Sequence, residues 1–150
     1  MKIDFRVNSS AVSLDVDPTR RLLAILNEEL QLPGARAACG IGRCGACMVL
    51  VDGLPINACL VLAGKLDGAE IITIEGLGPR ADVVRRVLAE AGAVQCGYCS
   101  PGLVMTLNYL VEQNLLMDTH ASEALLSGQI CRCTGYGGLK RALAVLTKPA

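Results

Sequence analysis

Residues 39–47 read Cys-Gly-Ile-Gly-Arg-Cys-Gly-Ala-Cys, and a fourth cysteine, Cys59, follows after a gap, giving the spacing C-x4-C-x2-C-x11-C. Three cysteines this close together do not pack easily as inert buried thiols, although Cys59 alone, between Ala58 and Leu60, would. The interleaved glycines permit the tight or left-handed backbone a chain needs to wrap closely around a small object. Such wrapping also turns backbone N–H groups toward the sulfurs, where they offset thiolate charge. Arg43 lies inside the loop, but an exposed arginine contributes little by itself and is read first as a solvated side chain.

Further along lies a second quartet, Cys96, Cys99, Cys131 and Cys133, spaced C-x2-C-x31-C-x-C. The front spacing is that of plant-type [2Fe-2S] ligands. The rear spacing carries no such assignment, and two cysteine pairs suit a four-cysteine zinc site as well as an iron-sulfur cluster. Disulfides are the ordinary use of eight cysteines in a small secreted chain. Here the opening MKIDFRVNSS has neither an apolar signal core nor a twin arginine, so the expectation is a cytoplasmic chain with free thiols.

The 150 residues carry 14 basic and 14 acidic side chains, a balance that argues against a nucleic-acid surface. No apolar run approaches the ~20 residues of a membrane span, so no direct membrane insertion is expected. Aromatic residues make up 3% of the chain and tryptophan is absent, leaving Leu, Val, Ile and Ala to build the interior. Two ligand sets imply two small units, each gaining stability from a group that ties distant segments together.

Residues 2–7 and 11–16 alternate apolar and polar side chains about Asn8-Ser9-Ser10, which predicts a hairpin. Asp17-Pro18-Thr19 offers a helix start, Leu22, Leu23, Leu26 and Leu30 one face, and Pro33-Gly34 a stop. A second hairpin is expected about Asp52-Gly53, and a last strand over Ile71 to Ile74. After a Gly/Pro linker at residues 75–79 the pattern turns helical. Four helices are expected: Val83 to Ala91 behind Asp82, one opened by Ser100-Pro101 with Leu103, Val104, Leu107, Leu110 and Val111 on one face, Ala121 to Leu126, and Leu139 to Leu146. The fold class is therefore α+β, a β-grasp plant-type ferredoxin-like domain over residues 1–76 followed by a four-helix bundle over 77–150. In it Cys96 and Cys99 precede one helix, and Cys131 and Cys133 another, so that two helix N-termini face one anionic site. Met105 and Met117 read as core or gap-filling residues, and His120 as solvated.

The chain closely resembles the small iron-sulfur subunit of the molybdenum hydroxylases, the xanthine oxidase and carbon monoxide dehydrogenase family. CGIGRCGAC (39–47), VDGLPINACL (51–60), ITIEGLG (72–78), QCGYCSPG (95–102) and ICRCTGY (130–136) carry the resemblance in the family's order. It implies that Cys96, Cys99, Cys131 and Cys133 hold a second [2Fe-2S] cluster. It also implies an electron-transfer role in an oxidoreductase complex whose substrate chemistry belongs to a separate large molybdenum-binding subunit. Electrons would leave that centre one at a time, cross the rear cluster and then the front one, and reach FAD on a medium subunit or another acceptor. Gln95 and Cys133 would touch the molybdopterin of the large subunit, in its cytosine dinucleotide form. Several positions depart from the family's habit: Arg36 replaces a common Lys, Ala38 a usual Gly, Ile41 a frequent Glu and Ser100 a usual Thr, while Gly137-Gly138 adds flexibility before the last helix. No ligand is lost. The competing readings are a free-standing ferredoxin or redox sensor, against which the rear quartet argues, and a zinc-dependent interaction module. A chain that docks between partners should also expose apolar patches.

Overall fold

The alternation of the first fifteen residues becomes a hairpin in a computed structural model of the chain, which describes residues 1–147. Strands β1 (Lys2–Val7) and β2 (Ser10–Asp15) pair antiparallel, with Ile3, Phe5 and Val7 turned inward. Asn8 and Ser9 form the turn at φ 50° and 70°, both left-handed, so that Ser10 already belongs to the strand. Asp52 and Gly53, at φ 49° and 80°, join β3 (Met48–Val51) to β4 (Leu54–Asn57) in the same way. These are the mirror-image turns whose twist matches that of paired strands. A last strand, β5 (Glu70–Ile72), completes a sheet of order β2-β1-β5-β3-β4, in which only β1 and β5 run parallel.

The helix across the sheet differs from its expected form. It begins at Leu22, not at Asp17, and has only one α-helical stretch, α1 (Leu22–Ala24), before widening into a π-helical turn over Ile25–Glu29. Asp17 instead accepts hydrogen bonds from the backbone N–H and hydroxyl of Thr19, so its capping capacity is spent on a local turn. Asn27 binds the carbonyls of Leu23 and Ala35 through its side-chain amide, tying the helix to the chain that leads into the cysteine loop. Leu22, Ile25 and Leu26 are fully buried against the sheet.

The linker is folded, not loose. Asn8 accepts from the Thr73 N–H and donates to its hydroxyl. Leu77 is buried, and Arg85 donates to the carbonyls of Ile74 and Gly78. The helices that follow are α2 (Asp82–Glu90), α3 (Ser100–Glu112), α4 (Thr119–Leu125) and α5 (Gly137–Leu146). Helix α3 is buried almost all round, from Gly102 through Asn108, and lies between the other helices and strand β3. Asp82 and Ser100, the residue types expected to cap α2 and α3, lie inside these helices, and the caps are Ala81 and Cys99. Asp118, not anticipated, caps α4 by accepting from Ala121 N–H. Met105 is core as expected, whereas Met117 is 72% exposed, because it falls beyond the end of α3. Among the described residues no helix is long and apolar enough to cross a membrane.

Contact with the Gly92–Ala93 backbone accounts for Gly138, the second of the two glycines that open α5. A Cβ there would sit 2.4 Å from the carbonyl oxygen of Gly92. At an open helical site Gly→Ala stabilises by up to about 1 kcal/mol, so the sign is diagnostic: Gly138→Ala should instead destabilise by about 1–3 kcal/mol through overpacking, read as a lowered urea midpoint. A second expectation concerns acid. Arg80 grips Glu112 with two hydrogen bonds of 2.9 and 2.8 Å, and this holds the Glu112 carboxyl below its ordinary range. The contribution is therefore full above the ordinary carboxylate pKa and is lost as pH falls through the depressed value. Glu112→Gln should cost up to about 1 kcal/mol at neutral pH and make the acid limb of the stability curve shallower.

Candidate metal centres

The front loop hangs between the helix and β3, with Gly40, Gly42 and Gly45 at φ 67°, 74° and 71°. That conformation aims amides at sulfur. Arg43 N–H donates to Cys39 Sγ at 3.3 Å, and Ile41 and Cys44 amides point the same way. These backbone donors pull the Cys39 thiol down to about 6. Asn57, at the end of β4, donates to the Gly42 carbonyl at 3.2 Å and faces the Cys47 thiol at 3.8 Å, bracing the loop from the side. Cys47 and Cys59 are buried beneath it, and burial raises the Cys47 thiol to about 11.

At the rear, Cys99 caps α3, Cys96 lies in the turn before it, and Cys131 and Cys133 occupy the loop between α4 and α5. Thr134 donates its hydroxyl to Cys131 Sγ at 3.2 Å, and the Cys131 N–H donates to the Tyr136 hydroxyl at 2.8 Å. Burial acts upward on Cys131, but the Thr134 hydroxyl and the Thr134 and Cys133 amides outweigh it and bring the thiol to about 7. Desolvation lifts Cys99 to about 11. Cys96 and Cys133 are exposed, as is Gln95 beside them, with Val94 and Ile130 as an apolar rim.

Each quartet consists of two sulfur pairs. Cys39 faces Cys44 and Cys47 faces Cys59 in front; at the rear Cys99 faces Cys131, and the sulfurs of Cys96 and Cys133 lie 3.6 Å apart. Among the described residues no three such side chains converge as a single-ion site. Two pairs of thiolates are the donor set of a two-iron cluster, one pair to each iron, and fit it better than one tetrahedral zinc.

The two ligand sets adjoin. One cavity of about 170 Å³ is lined by Cys44 and Ala46 of the front loop together with all four rear cysteines. Ile130 N–H donates to the Cys44 carbonyl at 3.0 Å. A Cβ on Gly45 would fall 2.5 Å from the Gln129 amide, and one on Gly102 would fall 2.1 Å from the Gly45 carbonyl oxygen. Gln129 is buried and donates to the Thr106 hydroxyl at 2.7 Å. Sequence reasoning singled out neither Gln129, Thr134, Tyr136 nor Asn57 for a role. Asn57, Thr134 and Tyr136 stand in motifs that carry cysteines, which was their only signal, whereas Gln129 has its partner, Thr106, 23 residues away.

Residues 5–70 match the 2Fe-2S iron-sulfur cluster binding domain family, and residues 73–144 the [2Fe-2S] binding domain family. The chain is 39% identical over 136 residues to the nicotinate dehydrogenase small FeS subunit of Eubacterium barkeri, covering 89% of this chain and 87% of that one. It is 38% identical over 138 residues to the xanthine dehydrogenase iron-sulfur-binding subunit of Escherichia coli, covering 89% and 86%. Among solved structures, a chain of quinoline 2-oxidoreductase from Pseudomonas putida 86 superposes with a TM-score of 0.88 at 32% identity, covering 96% of this chain and 90% of that one. With paired sulfurs in both loops and this likeness along nearly its whole length, the chain belongs to the small [2Fe-2S] iron-sulfur subunits of the molybdenum hydroxylase family.

Proposed function

We propose that the chain is the electron-transfer subunit of a molybdenum hydroxylase, holding two [2Fe-2S] clusters between a molybdenum-pterin centre on a large partner subunit and FAD, or another acceptor, on a medium one. The observation that carries this reading is the shared cavity, which brings Cys44 of the front set against all four rear cysteines. Cys96, Cys99, Cys131 and Cys133 are assigned to the rear cluster, and Cys39, Cys44, Cys47 and Cys59 to the front one. The clusters, when bound, supply reversible one-electron chemistry.

The chain's own groups do the rest. Backbone N–H groups at Ile41, Arg43 and Cys44 offset thiolate charge in front, and the Thr134 hydroxyl does so at the rear. Burial of Cys47 and Cys59 keeps water from the inner sulfurs of the front site. The exposed Cys96 and Cys133, with Gln95 beside them, form the edge that a partner-held pterin would meet. We assign Gln95 and Cys133 to that contact, with molybdopterin cytosine dinucleotide as its ligand. Residues 1–76 and 77–150 then serve as the two cluster-binding units, the second acting as a four-helix bundle around its ligand loops. We place the chain in the cytoplasm, whose reducing poise keeps cysteines available as thiolate ligands. The named relatives are subunits of dehydrogenases acting on different substrates, so the substrate of this complex is set by its large subunit.

Purified with its partners and reduced, the chain should give two distinct [2Fe-2S] EPR signals. Cys99→Ala should remove one and Cys47→Ala the other, each sparing its neighbour. A fully reconstituted wild type with a single signal would sink the two-cluster reading. Tagged chain should also bring down a large molybdenum-containing subunit from its native cells; recovery as a free monomer that shuttles electrons unaided would favour an independent ferredoxin.

A further inference from the structure

Tyr98 belongs to the rear turn, between Cys96 and Cys99, yet its side chain is held by the front half. Its hydroxyl donates to the Ala37 carbonyl at 2.6 Å, two residues before the first front cysteine. The Arg36 guanidinium stands over its ring, 5.6 Å from the centroid. The Arg36 backbone is tied to the front ligand loop, its main-chain N–H donating to the Ala46 carbonyl at 3.0 Å. At its other end Tyr98 reaches the rear site directly, its backbone amide turned toward the Cys96 sulfur. The residue also lines the cavity shared by Cys44 and the four rear cysteines.

Two features separate this from an incidental surface tyrosine. Tyr98 is 46% exposed, but its polar end and one ring face are both engaged across the junction. It also follows Gly97, whose φ of 81° makes the turn easy to deform unless something outside it fixes its position. A planar guanidinium stacks on an aromatic face as an ammonium does not, which gives Arg36 a use that the family's common Lys would serve less well.

We propose that Tyr98, clamped by Ala37 and Arg36, is a positioning residue that fixes the rear turn, and with it the Cys96 sulfur, relative to the front ligand loop. The separation of the two clusters then depends on this clamp. The proposal rests on the reading of both quartets as [2Fe-2S] ligands.

Magnetic coupling between two reduced clusters falls with the cube of their separation, so it reports position where activity does not. In the purified complex, reduced with dithionite, low-temperature EPR of wild type should show both signals split by their interaction. Tyr98→Phe removes only the hydroxyl, and Arg36→Met only the cation over the ring. Each should keep both signals and the melting temperature of the complex while losing the resolved splitting to a broadened line. Unaltered splitting in both variants overturns the proposal. A wild type lacking one of the signals overturns instead the cluster assignment beneath it, so the two failures are distinguishable.

Discussion

The Cys44 carbonyl accepts a hydrogen bond from Ile130 N–H, the residue just before a rear ligand, and through it one cysteine loop is seated on the other. Around this bond Gly45 is closed in by Gln129 on one side and by Gly102 on the other, at distances no side chain would allow. Most larger features follow from the need to make this contact. Helix α3 must run beside β3 to bring Gly102 to Gly45, and the segment after α4 must return across α3 to deliver Gln129 and Ile130. The buried bond between Gln129 and Thr106 anchors that return.

The second constraint is charge. Four thiolates gathered at one small site repel one another and lose hydration, and the chain answers differently at its two sites. In front, three left-handed glycines turn successive amides inward while the sheet covers Cys47 and Cys59. At the rear, a threonine hydroxyl and the amides of a short loop serve Cys131, and two of the sulfurs stay open to solvent. The front loop is thus braced from within the fold, whereas the rear edge is left exposed.

Both hairpins, the face Leu22 and Leu26, and the four rear helical segments were legible in the sequence because each follows from local periodicity or turn chemistry. So were the cysteine sets, whose spacing is itself the signal. What sequence did not disclose depended either on competition between neighbouring residues for one role or on distant partners. Asp17 looked like a helix cap but closes its own turn with Thr19. Ser100 looked like another, yet Cys99 already occupies that position. Gly137-Gly138 suggested flexibility, whereas Gly138 is glycine because the Gly92 carbonyl leaves no room for a Cβ. Residues 75–79 read as a Gly/Pro linker, and the burial of Leu77 and the reach of Arg85 show that the segment also packs into the core.

Strand β3 serves two interiors at once. Val49 and Val51 face the core shared with the front helix, while Leu50, with Met48 and Ile72 beside it, faces the core shared with α2, α3 and α5. The boundary visible in the chain is therefore not a boundary in free energy. Had the front half once been a separate carrier, acquiring the rear half required turning the strip of Met48, Leu50 and Ile72 on its sheet from polar to apolar. The change is hard to reverse, because a front half released today would turn an oily strip to water and would be prone to self-association.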